Sequence, residues 1–327
     1  MIFETLCNSL LDGSILWSFD RSGFERHARD FRPSDVAADC AGLVCLVSGA
    51  NSGIGYAAAE GLARRGATVW LLCRDRLRGQ RAVRELRQRT GSRALHLAQV
   101  DLADLASVRR LAARFSAARV DVLVHNAGVL PAARQCTADG LESTLATNVA
   151  GPFLLTRLLW PRLLAAPAGR VIFVSSGGMY GTRLSLDDLD WQRRRFDGVA
   201  AYAQTKRMQV VLTELFAARA AATRLSIHCM HPGWADTPAV RTSLPRFYRW
   251  MRHRLRTAEQ GADTLVWLAL CARVAQQSGA FWFDRTAQPT HLLPLTRERP
   301  ADRERLWQLC EAWTGLAKPA ARRRAAR

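Results

Sequence analysis

The stretch SGANSGIG, residues 48–55, decides the fold of this 327-residue chain. It follows an apolar run, LVCLV, that predicts a buried strand, and it precedes a helical pattern that ends at Gly66. Glycines allow a tight turn at this position, and they let the backbone approach a pyrophosphate without Cβ atoms in the way. The helix start adds free N–H groups and a positive dipole end. The stretch therefore predicts a dinucleotide-binding turn; the alternative is an ordinary tight turn between strand and helix.

Strand-like and helix-like segments alternate from this turn to about residue 292. Further buried-strand patterns occupy 67–75, 94–102, 120–128, 169–176, 224–233 and 279–284, and helical patterns lie between them. This alternation is typical of a parallel sheet with helices on both faces. We predict a single α/β domain of the Rossmann type, with a doubly wound parallel sheet of about seven strands. The predicted organisation is a leader at 1–39, the catalytic dinucleotide-binding domain at 40–292, and a C-terminal helix with a basic tail at 293–327.

The composition argues against several functional classes. The net charge is +19, but arginine supplies nearly all of the positive charge, and it is spread along the chain instead of clustering with aromatic residues. We therefore expect no nucleic-acid partner. No apolar run reaches the ~18 residues of a membrane span. The eight cysteines show no zinc spacing, so we predict no metal site and expect buried thiols in a reducing compartment.

The two ends of the chain leave a membrane-surface role open. Glu4 and Asp12 argue against a secretory signal peptide, so we expect an intracellular protein, cytoplasmic or peripherally attached to a membrane. Leu6, Leu10, Trp17 and Phe24 could share one face of a surface helix. The alternative is an N-terminal helix packed on the domain. The C-terminal ARRRAAR predicts a solvated tail, and oligomerisation is compatible with the sequence.

The end of the second predicted strand reports on the cofactor. An acidic residue there would accept hydrogen bonds from the ribose 2′-hydroxyl of NAD(H), whereas an arginine can hold a 2′-phosphate. This chain has Cys73 followed by Arg74, with Arg78 and Ser52 as further candidates, while Asp75 should lie beyond the strand end. The pattern favours NADP(H) over NAD(H). The alternative is that Arg74 is an ordinary surface residue.

The spacing Tyr202-x-x-x-Lys206 places a phenol and an ammonium on one helix face, one turn apart. The positive charge should lower the pKa of the tyrosine, which suits proton exchange with a carbonyl or alcohol oxygen. Such spacing is common by chance. It gains force because it follows Ser176, at the end of the fifth predicted strand (residues 169–176), and Asn148, in the helix before that strand. Both lie near the carboxyl ends of the strands, where open parallel sheets bind ligands.

In this order the motifs resemble those of the short-chain dehydrogenase/reductase family. The matching residues are Gly49, Gly53, Gly55, Asp101, Leu102, Asn126, Ala127, Gly128, Asn148, Ser176, Tyr202, Lys206, Pro232 and Gly233. The resemblance covers about residues 40–290. Within the family, LLCRD, VSSGGM and MHPGWADTP resemble one type of dehydrogenase/reductase, and retinol-dehydrogenase-like members are a further similar type.

The resemblance implies a role for each catalytic residue. Tyr202 would be the general acid/base, and Lys206 would lower its pKa and bond the nicotinamide ribose. Ser176 would position the substrate oxygen, and Asn148 would support a water-mediated proton relay to Lys206. The implied cofactor site consists of Ser48, Gly49, Asn51, Ser52, Gly53, Ile54, Gly55, Arg74, Arg78, Asp101, Leu102, Asn126, Ala127, Gly128, Tyr202, Lys206, Pro232, Gly233, Trp234 and Thr237.

Three departures from the family pattern bear on the site. His125 stands where an asparagine is usual, and we expect it to be structural. The segment 178–200 lengthens the distance from Ser176 to Tyr202, and we interpret it as a flap beside the substrate entrance. The segment 234–251 is a second candidate lid, whose apolar side chains could line a pocket, lie on a membrane or simply pack.

These patterns predict an NADP(H)-dependent oxidoreductase that transfers a hydride between nicotinamide and a carbonyl or alcohol carbon of a small lipophilic substrate. The alternative is a regulatory protein that binds the nucleotide with little or no turnover. A third hypothesis, binding to nucleic acid or an anionic membrane through the arginines, rests on charge alone.

Overall fold

A computed structural model of the chain describes residues 15–317, in which an eight-stranded sheet lies between two layers of helices. The strands are β1 Val44–Ser48, β2 Thr68–Cys73, β3 Leu95–Gln99, β4 Val122–His125, β5 Arg170–Val174, β6 Ser226–Met230, β7 Phe281–Phe283 and β8 Thr286–Gln288. Their order is β3-β2-β1-β4-β5-β6-β7-β8, and all neighbours are parallel except β7 and β8. The predicted doubly wound parallel sheet is confirmed.

The eighth strand is an addition to the seven that were predicted. The turn between β7 and β8 consists of Asp284 and Arg285, which both adopt positive φ angles, 45° and 59°. This turn reverses the chain so that β8 pairs antiparallel with β7. Turns of this kind usually carry glycine or asparagine, so the sequence Asp-Arg did not signal a hairpin.

Helices alternate with the strands as the sequence predicted. They are α1 Ile15–Phe19, α2 Arg21–His27, α3 Gly53–Ala63, α4 Arg76–Thr90, α5 Leu105–Arg114, α6 Gly151–Leu164, α7 Gly198–Ala220, α8 Pro238–Ser243, α9 Pro245–Met251, α10 Ala258–Leu270 and α11 Pro300–Trp313. A helical turn, Ser143–Leu145, and a π-helical stretch, Ala146–Ala150, lead into α6. The terminal helix expected after residue 297 is α11.

The core lies on both faces of the sheet because side chains alternate along each strand. On β1, Leu46 faces one apolar layer, while Cys45 and Val47 face the other. Burial on both faces explains why the strands read as continuous apolar runs. Cys45, Cys73 and Cys229 are buried free thiols, as predicted.

The described part of the leader packs onto the domain. Trp267 Nε1 on α10 donates a hydrogen bond to Asp35 at 3.1 Å, and Arg273 forms an ion pair with the same carboxylate. Trp17 keeps an exposed fraction of 42%. Leu6, Leu10 and the basic tail at 321–327 lie outside the described residues. None of the helices within 15–317 is long and apolar enough to cross a membrane.

Candidate active site

The glycine turn lies where the strand order reverses, between β1 and β4. Gly49 and Gly53 adopt φ angles of 66° and 58°, a region that disfavours other residues. A Cβ atom on Gly55 would lie 2.4 Å from Asn126 Nδ2 and 2.6 Å from the Gly49 carbonyl oxygen. Ser52 caps α3 without a side-chain hydrogen bond to the helix, so the first N–H groups of α3 remain available. Ligands bind at such switch points in open α/β sheets.

The ends of β1 and β4 are joined by a short hydrogen-bond network. The Ser48 hydroxyl accepts hydrogen bonds from the backbone N–H groups of Asn126 and Ala127, both at 3.0 Å. The Asn126 amide donates to the Ser48 carbonyl oxygen at 2.9 Å. A Cβ atom on Gly49 would lie 3.0 Å from the Ala127 Cα atom. The two motifs therefore form one rigid floor beneath the glycine turn.

A groove of about 680 Å³ lies at the edge formed by β2 and β3. Arg74, Gln99 and Asp101 line it, and the Arg74 side chain is exposed. Asp75 is the N-cap of α4, where its carboxylate accepts the Arg78 N–H at 2.9 Å. Asp75 is thus engaged by the helix, whereas the exposed Arg74 guanidinium remains available to an anion.

Tyr202 and Lys206 lie on α7, beside the end of β5. The Lys206 ammonium is buried, 5.2 Å from the centroid of the Tyr202 ring. It donates hydrogen bonds to the Val174 carbonyl oxygen at 2.8 Å and to Gln209 Oε1 at 3.2 Å. These contacts use two of its three N–H donors. Ser175 Oγ donates to the Lys206 carbonyl oxygen at 2.8 Å, which ties α7 to the strand end.

The pKa of Tyr202 differs from the expectation. Burial raises the pKa of Tyr202 to about 12, and only a hydrogen bond with Ser176 acts in the lowering direction. Burial also lowers the pKa of Lys206 to about 8. The expected lowering of the tyrosine pKa by Lys206 is therefore absent in this arrangement. The Lys206 ammonium donates its hydrogen bonds to Val174 and Gln209, and within residues 15–317 no hydrogen bond joins it to the phenol.

Asn148 lies in the π-helical stretch before α6 and is fully buried. Its side chain accepts the Val129 N–H at 3.0 Å and donates to Thr205 Oγ1 at 3.0 Å. Its backbone carbonyl accepts a hydrogen bond from Gln209 Nε2 at 2.8 Å. The Gln209 amide therefore links Asn148 to Lys206 directly. π-Helical turns are frequent at functional sites because they redirect backbone groups.

Gly128 brings the two halves of the candidate site together. A Cβ atom at this position would lie 3.4 Å from Lys206 Nζ and 3.5 Å from Asn148 Oδ1. The floor formed by Ser48, Asn126 and Ala127 thus continues directly into the residues expected to act in proton transfer. Leu102 lies against the start of α6, because its carbonyl oxygen would lie 2.1 Å from a Cβ atom on Gly151.

The loop after β6 faces the glycine turn. Gly233 has a φ angle of 70°, and Thr237 caps α8 by accepting the Val240 N–H at 3.3 Å. A Cβ atom on Gly53 would lie 3.2 Å from Thr237 Cγ2. The structure therefore places Thr237, in the loop that also carries Pro232, Gly233 and Trp234, beside the glycine turn.

Comparison with known proteins agrees with this geometry. A family model described as short chain dehydrogenase matches residues 43–246.

The chain belongs to the short-chain dehydrogenase family.

Among its relatives, dehydrogenase/reductase SDR family member 12 of Bos taurus is 44% identical over 299 residues, covering 90% of this chain and 94% of the relative. Human retinol dehydrogenase 13 is 33% identical, covering 86% and 87%. A solved short chain dehydrogenase of Escherichia coli complexed with NADPH has a TM-score of 0.62 and 26% identity, and covers 78% of this chain and 100% of that one. The predicted resemblance is confirmed.

The family uses a nicotinamide dinucleotide, and the residues of this chain fit one. The glycine turn leaves no room for Cβ atoms, and the start of α3 offers unpaired N–H groups to a pyrophosphate. The glycines, Ser52, Asn126 and Lys206 would hold the dinucleotide along the switch point. Residues 15–317 contain no group of three or more His, Cys, Asp or Glu side chains that could hold a metal ion.

His125 departs from the family pattern without entering the cleft. Its ring is buried, stacks on Phe173 with centroids 4.8 Å apart, and shares a 2.8 Å hydrogen bond with Thr156. Because the Thr156 hydroxyl donates to Pro152, it accepts from His125 Nε2, and Nδ1 is left without a partner. Burial lowers the pKa of His125 to about 3. The ring is therefore neutral and part of the core, consistent with a structural residue.

The inserted segment 178–200 is packed against the domain. Trp191 is buried, and its ring centroid lies 5.4 Å from that of Phe196. The Arg194 guanidinium lies 3.9 Å from the Trp191 ring centroid. Asp188 and Trp191 both have positive φ angles. The second candidate lid forms α8 and α9, of which Phe247 packs on Trp234 while Trp250 has an exposed fraction of 69%.

Sequence reasoning missed three residues at the site. Gln209 could have been suspected, since it lies on the same helix one turn after Lys206. Phe19 and Arg256 gave no signal, because Phe19 meets Gly177 and Trp234 across 158 and 215 residues. Arg256 meets the leader at Ser18 and Asp20 across 238 and 236 residues.

Proposed function

We propose that the chain is an NADP(H)-dependent oxidoreductase that interconverts a carbonyl and an alcohol on a small lipophilic substrate. The observation that carries this proposal is the convergence of Ser176, Tyr202, Lys206 and Asn148 on one side of a dinucleotide-type glycine turn. The bound nicotinamide supplies or accepts the hydride. The other parts of the reaction fall to side chains of this chain.

In the direction of reduction, we propose that Tyr202 donates its phenol proton to the carbonyl oxygen while Ser176 holds that oxygen. A pKa raised to about 12 keeps the phenol protonated before the reaction. After the transfer, we propose that Lys206, whose pKa burial lowers to about 8, returns a proton to the phenolate. We propose that the third N–H donor of Lys206 serves a cofactor hydroxyl, and that Gln209 and Asn148 hold the lysine in position.

The NADP(H) preference is supported by the charge at the end of β2. Arg74 is exposed in the groove beside Gln99 and Asp101, and Asp75 is occupied as a helix cap. A guanidinium without an acidic partner suits a 2′-phosphate. The solved relative complexed with NADPH adds support from outside the chain.

The lipophilic substrate is supported by the aromatic residues beside the cleft. Trp234 is in contact with both Phe19 and Phe247. Relatives named retinol dehydrogenase are consistent with an apolar substrate. Residues 178–200 and 234–251 are proposed to border the entrance.

The decisive experiment compares the unmodified chain with Tyr202→Phe on NADPH oxidation with a panel of aldehydes and ketones. We expect the substitution to reduce turnover by about 10²–10⁴-fold, because general acid catalysis is lost. NADPH binding, measured by calorimetry, should persist. Equal turnover in the two proteins would contradict the mechanism. NADPH binding without turnover on any carbonyl would instead favour a regulatory nucleotide-binding role.

A further inference from the structure

Phe19, from the N-terminal leader, lies against both loops that carry the candidate catalytic and nicotinamide residues. A Cβ atom on Gly177, the residue after Ser176, would lie 2.4 Å from Phe19 Cε2. On the other side, the Trp234 N–H donates to the Phe19 carbonyl oxygen at 2.8 Å, and the two ring centroids are 5.9 Å apart. The phenyl ring therefore stands between the end of β5 and the loop after β6.

The ring is held in this position by aromatic neighbours. Its centroid lies 4.4 Å from that of His231 and 5.1 Å from that of Phe283, both in edge-on arrangements. The exposed fraction of Phe19 is only 9%. A ring packed in this way cannot turn aside without disturbing the carboxyl ends of β6 and β7.

A buried arginine fixes the backbone on both sides of Phe19. Arg256 donates hydrogen bonds to the carbonyl oxygens of Ser18 at 2.9 Å and Asp20 at 3.0 Å. The same guanidinium forms a two-pronged ion pair with Asp284 at 2.6 and 2.8 Å. It also contacts the nicotinamide loop, because a Cβ atom on Gly233 would lie 2.4 Å from Arg256 Nε. One side chain thus connects the leader to the loop after β6.

A second ion pair secures the start of α2. Asp20 caps this helix by accepting the Gly23 N–H at 3.0 Å, and it accepts a hydrogen bond from Arg254 Nε at 2.8 Å. Further along the leader, His27 contacts Asp284 at 2.6 Å. The leader is therefore anchored on both sides of Phe19 by charged groups from the C-terminal half of the chain.

We propose that residues Ser18–Asp20 are a wall of the substrate site, and that the Phe19 ring limits the size of the group next to the reacting carbonyl. This inference rests on the proposed function, since it assigns a specificity residue to that same site. A flat aromatic wall between Ser176 and Trp234 favours carbonyl compounds that carry a linear or planar apolar group. It excludes compounds with a branched group at that position.

The first test is a pair of methyl ketones that differ only in branching, one with a linear alkyl group and one with a tert-butyl group. In Phe19→Ala, the ratio of kcat/KM for the branched ketone to that for the linear ketone should rise about ten-fold. Phe24→Ala is the matched control, because Phe24 belongs to the same leader but packs on Phe31 and Arg256. The control should leave the ratio unchanged, and NADPH affinity should stay within about two-fold in both variants.

Phe19→Leu provides a milder change if the alanine variant does not fold, and its ratio should rise less. If Phe19→Ala and Phe24→Ala change the ratio equally, or if neither changes it, the proposed wall is wrong. A protein that turns over no carbonyl would instead contradict the proposed function, and a binding measurement then decides the inference.

That measurement uses full-length protein with 4-fluorophenylalanine at position 19 or, as control, at position 24. The fluorine resonance at position 19 should shift when NADPH is added, because Trp234, in the loop after β6, contacts Phe19. It should shift again with a carbonyl compound. The resonance at position 24 should move much less. A resonance at position 19 that stays in place with NADPH and with every carbonyl compound overturns the proposal, whether or not the protein is active.

Discussion

The two sides of the cleft are built in different ways. On the cofactor side, the glycine turn and the ends of β1 and β4 are joined by Ser48 and Asn126, and each partner belongs to a short motif at a strand end. On the substrate side, the leader meets the loop after β6 through Arg256, which contacts a residue 238 positions away in the chain. The first side joins two short motifs at neighbouring strand ends, 78 residues apart in the chain, whereas the second joins segments separated by 236 and 238 residues.

A cofactor and a substrate place different demands on the residues that bind them. A dinucleotide presents the same phosphates to every enzyme that binds it, so a few glycines and helix N–H groups suffice. A substrate wall must match one shape, and it is formed by whichever aromatic side chains pack beside the catalytic groups. The substrate side should therefore be the more sensitive to changes in distant residues.

Asp284→Asn should give the largest effect on stability, because it breaks the substrate-side network at its centre. Burial would raise the pKa of Asp284, but hydrogen bonds from His27 and Arg256 hold it below its usual value. Asparagine tolerates the positive φ angle at this position, so the change removes charge without backbone strain. Leaving Arg256 buried without its partner should lower the free energy of unfolding by about 3–5 kcal/mol, measured by urea denaturation.

The control is Glu85→Gln, which breaks the exposed pair between Arg81 and Glu85 on α4. Exposed pairs contribute little to stability, so this variant should unfold at the same urea concentration as the unmodified chain. If Asp284→Asn also unfolded at the urea concentration of the unmodified chain, the contacts of the leader would contribute nothing to the stability of the domain. The proposed difference between the two sides of the cleft would then be wrong.

Arg74→Ala tests whether one side chain at the end of β2 selects NADPH over NADH. Loss of a charge-assisted contact with the 2′-phosphate should weaken NADPH binding by about 10- to 100-fold. NADH binding should change by no more than about two-fold. Calorimetry with both nucleotides measures the two effects separately.

Arg84→Ala is the matched change, since Arg84 is an exposed arginine further along α4. It should leave the preference for NADPH intact. Equal affinities of the unmodified chain for NADPH and NADH would show that Arg74 does not select the cofactor.

His125→Asn should give the smallest effect, and only in acid. The native ring remains neutral down to about pH 3, whereas in the unfolded chain it binds a proton below about pH 6.5. Stability contributed by this group is therefore present above pH 6.5 and is lost as the pH falls toward 3, at about 1.4 kcal/mol per pH unit. The variant should show a correspondingly shallower loss of unfolding free energy between pH 6.5 and 5.

The same change at His253, which is exposed on the surface, is the control. A slope that is identical in His125→Asn and the unmodified chain would show that the buried ring is not a source of acid sensitivity.

The fold and the cofactor side could be predicted because their signals are local. Apolar runs, glycines at strand ends and the spacing of Tyr202 and Lys206 all lie within short windows of sequence. Even the expectation that Asp75 lies beyond the strand end agrees with its position as the cap of α4.

Other features depend on contacts that no short window contains. The π-helical stretch at Asn148 depends on which backbone hydrogen bonds form, and the same residues could instead continue an α-helix. The pKa of Tyr202 was expected to fall, but the direction depends on where the Lys206 ammonium points and on how dry the site is. Phe19 resembles any apolar residue of a leader until it is seen against Gly177.

The contact between Ser18 and Arg256 also sets an order of events during protein synthesis. Ser18 leaves the ribosome before its partner by 238 residues, which corresponds to roughly 10–50 s at ordinary rates of elongation. Strands β1 to β6 can pair in that interval, because residues 44–230 are synthesised before Arg256. Phe19 and its neighbours therefore remain without their partners on the domain until Arg256 has been synthesised.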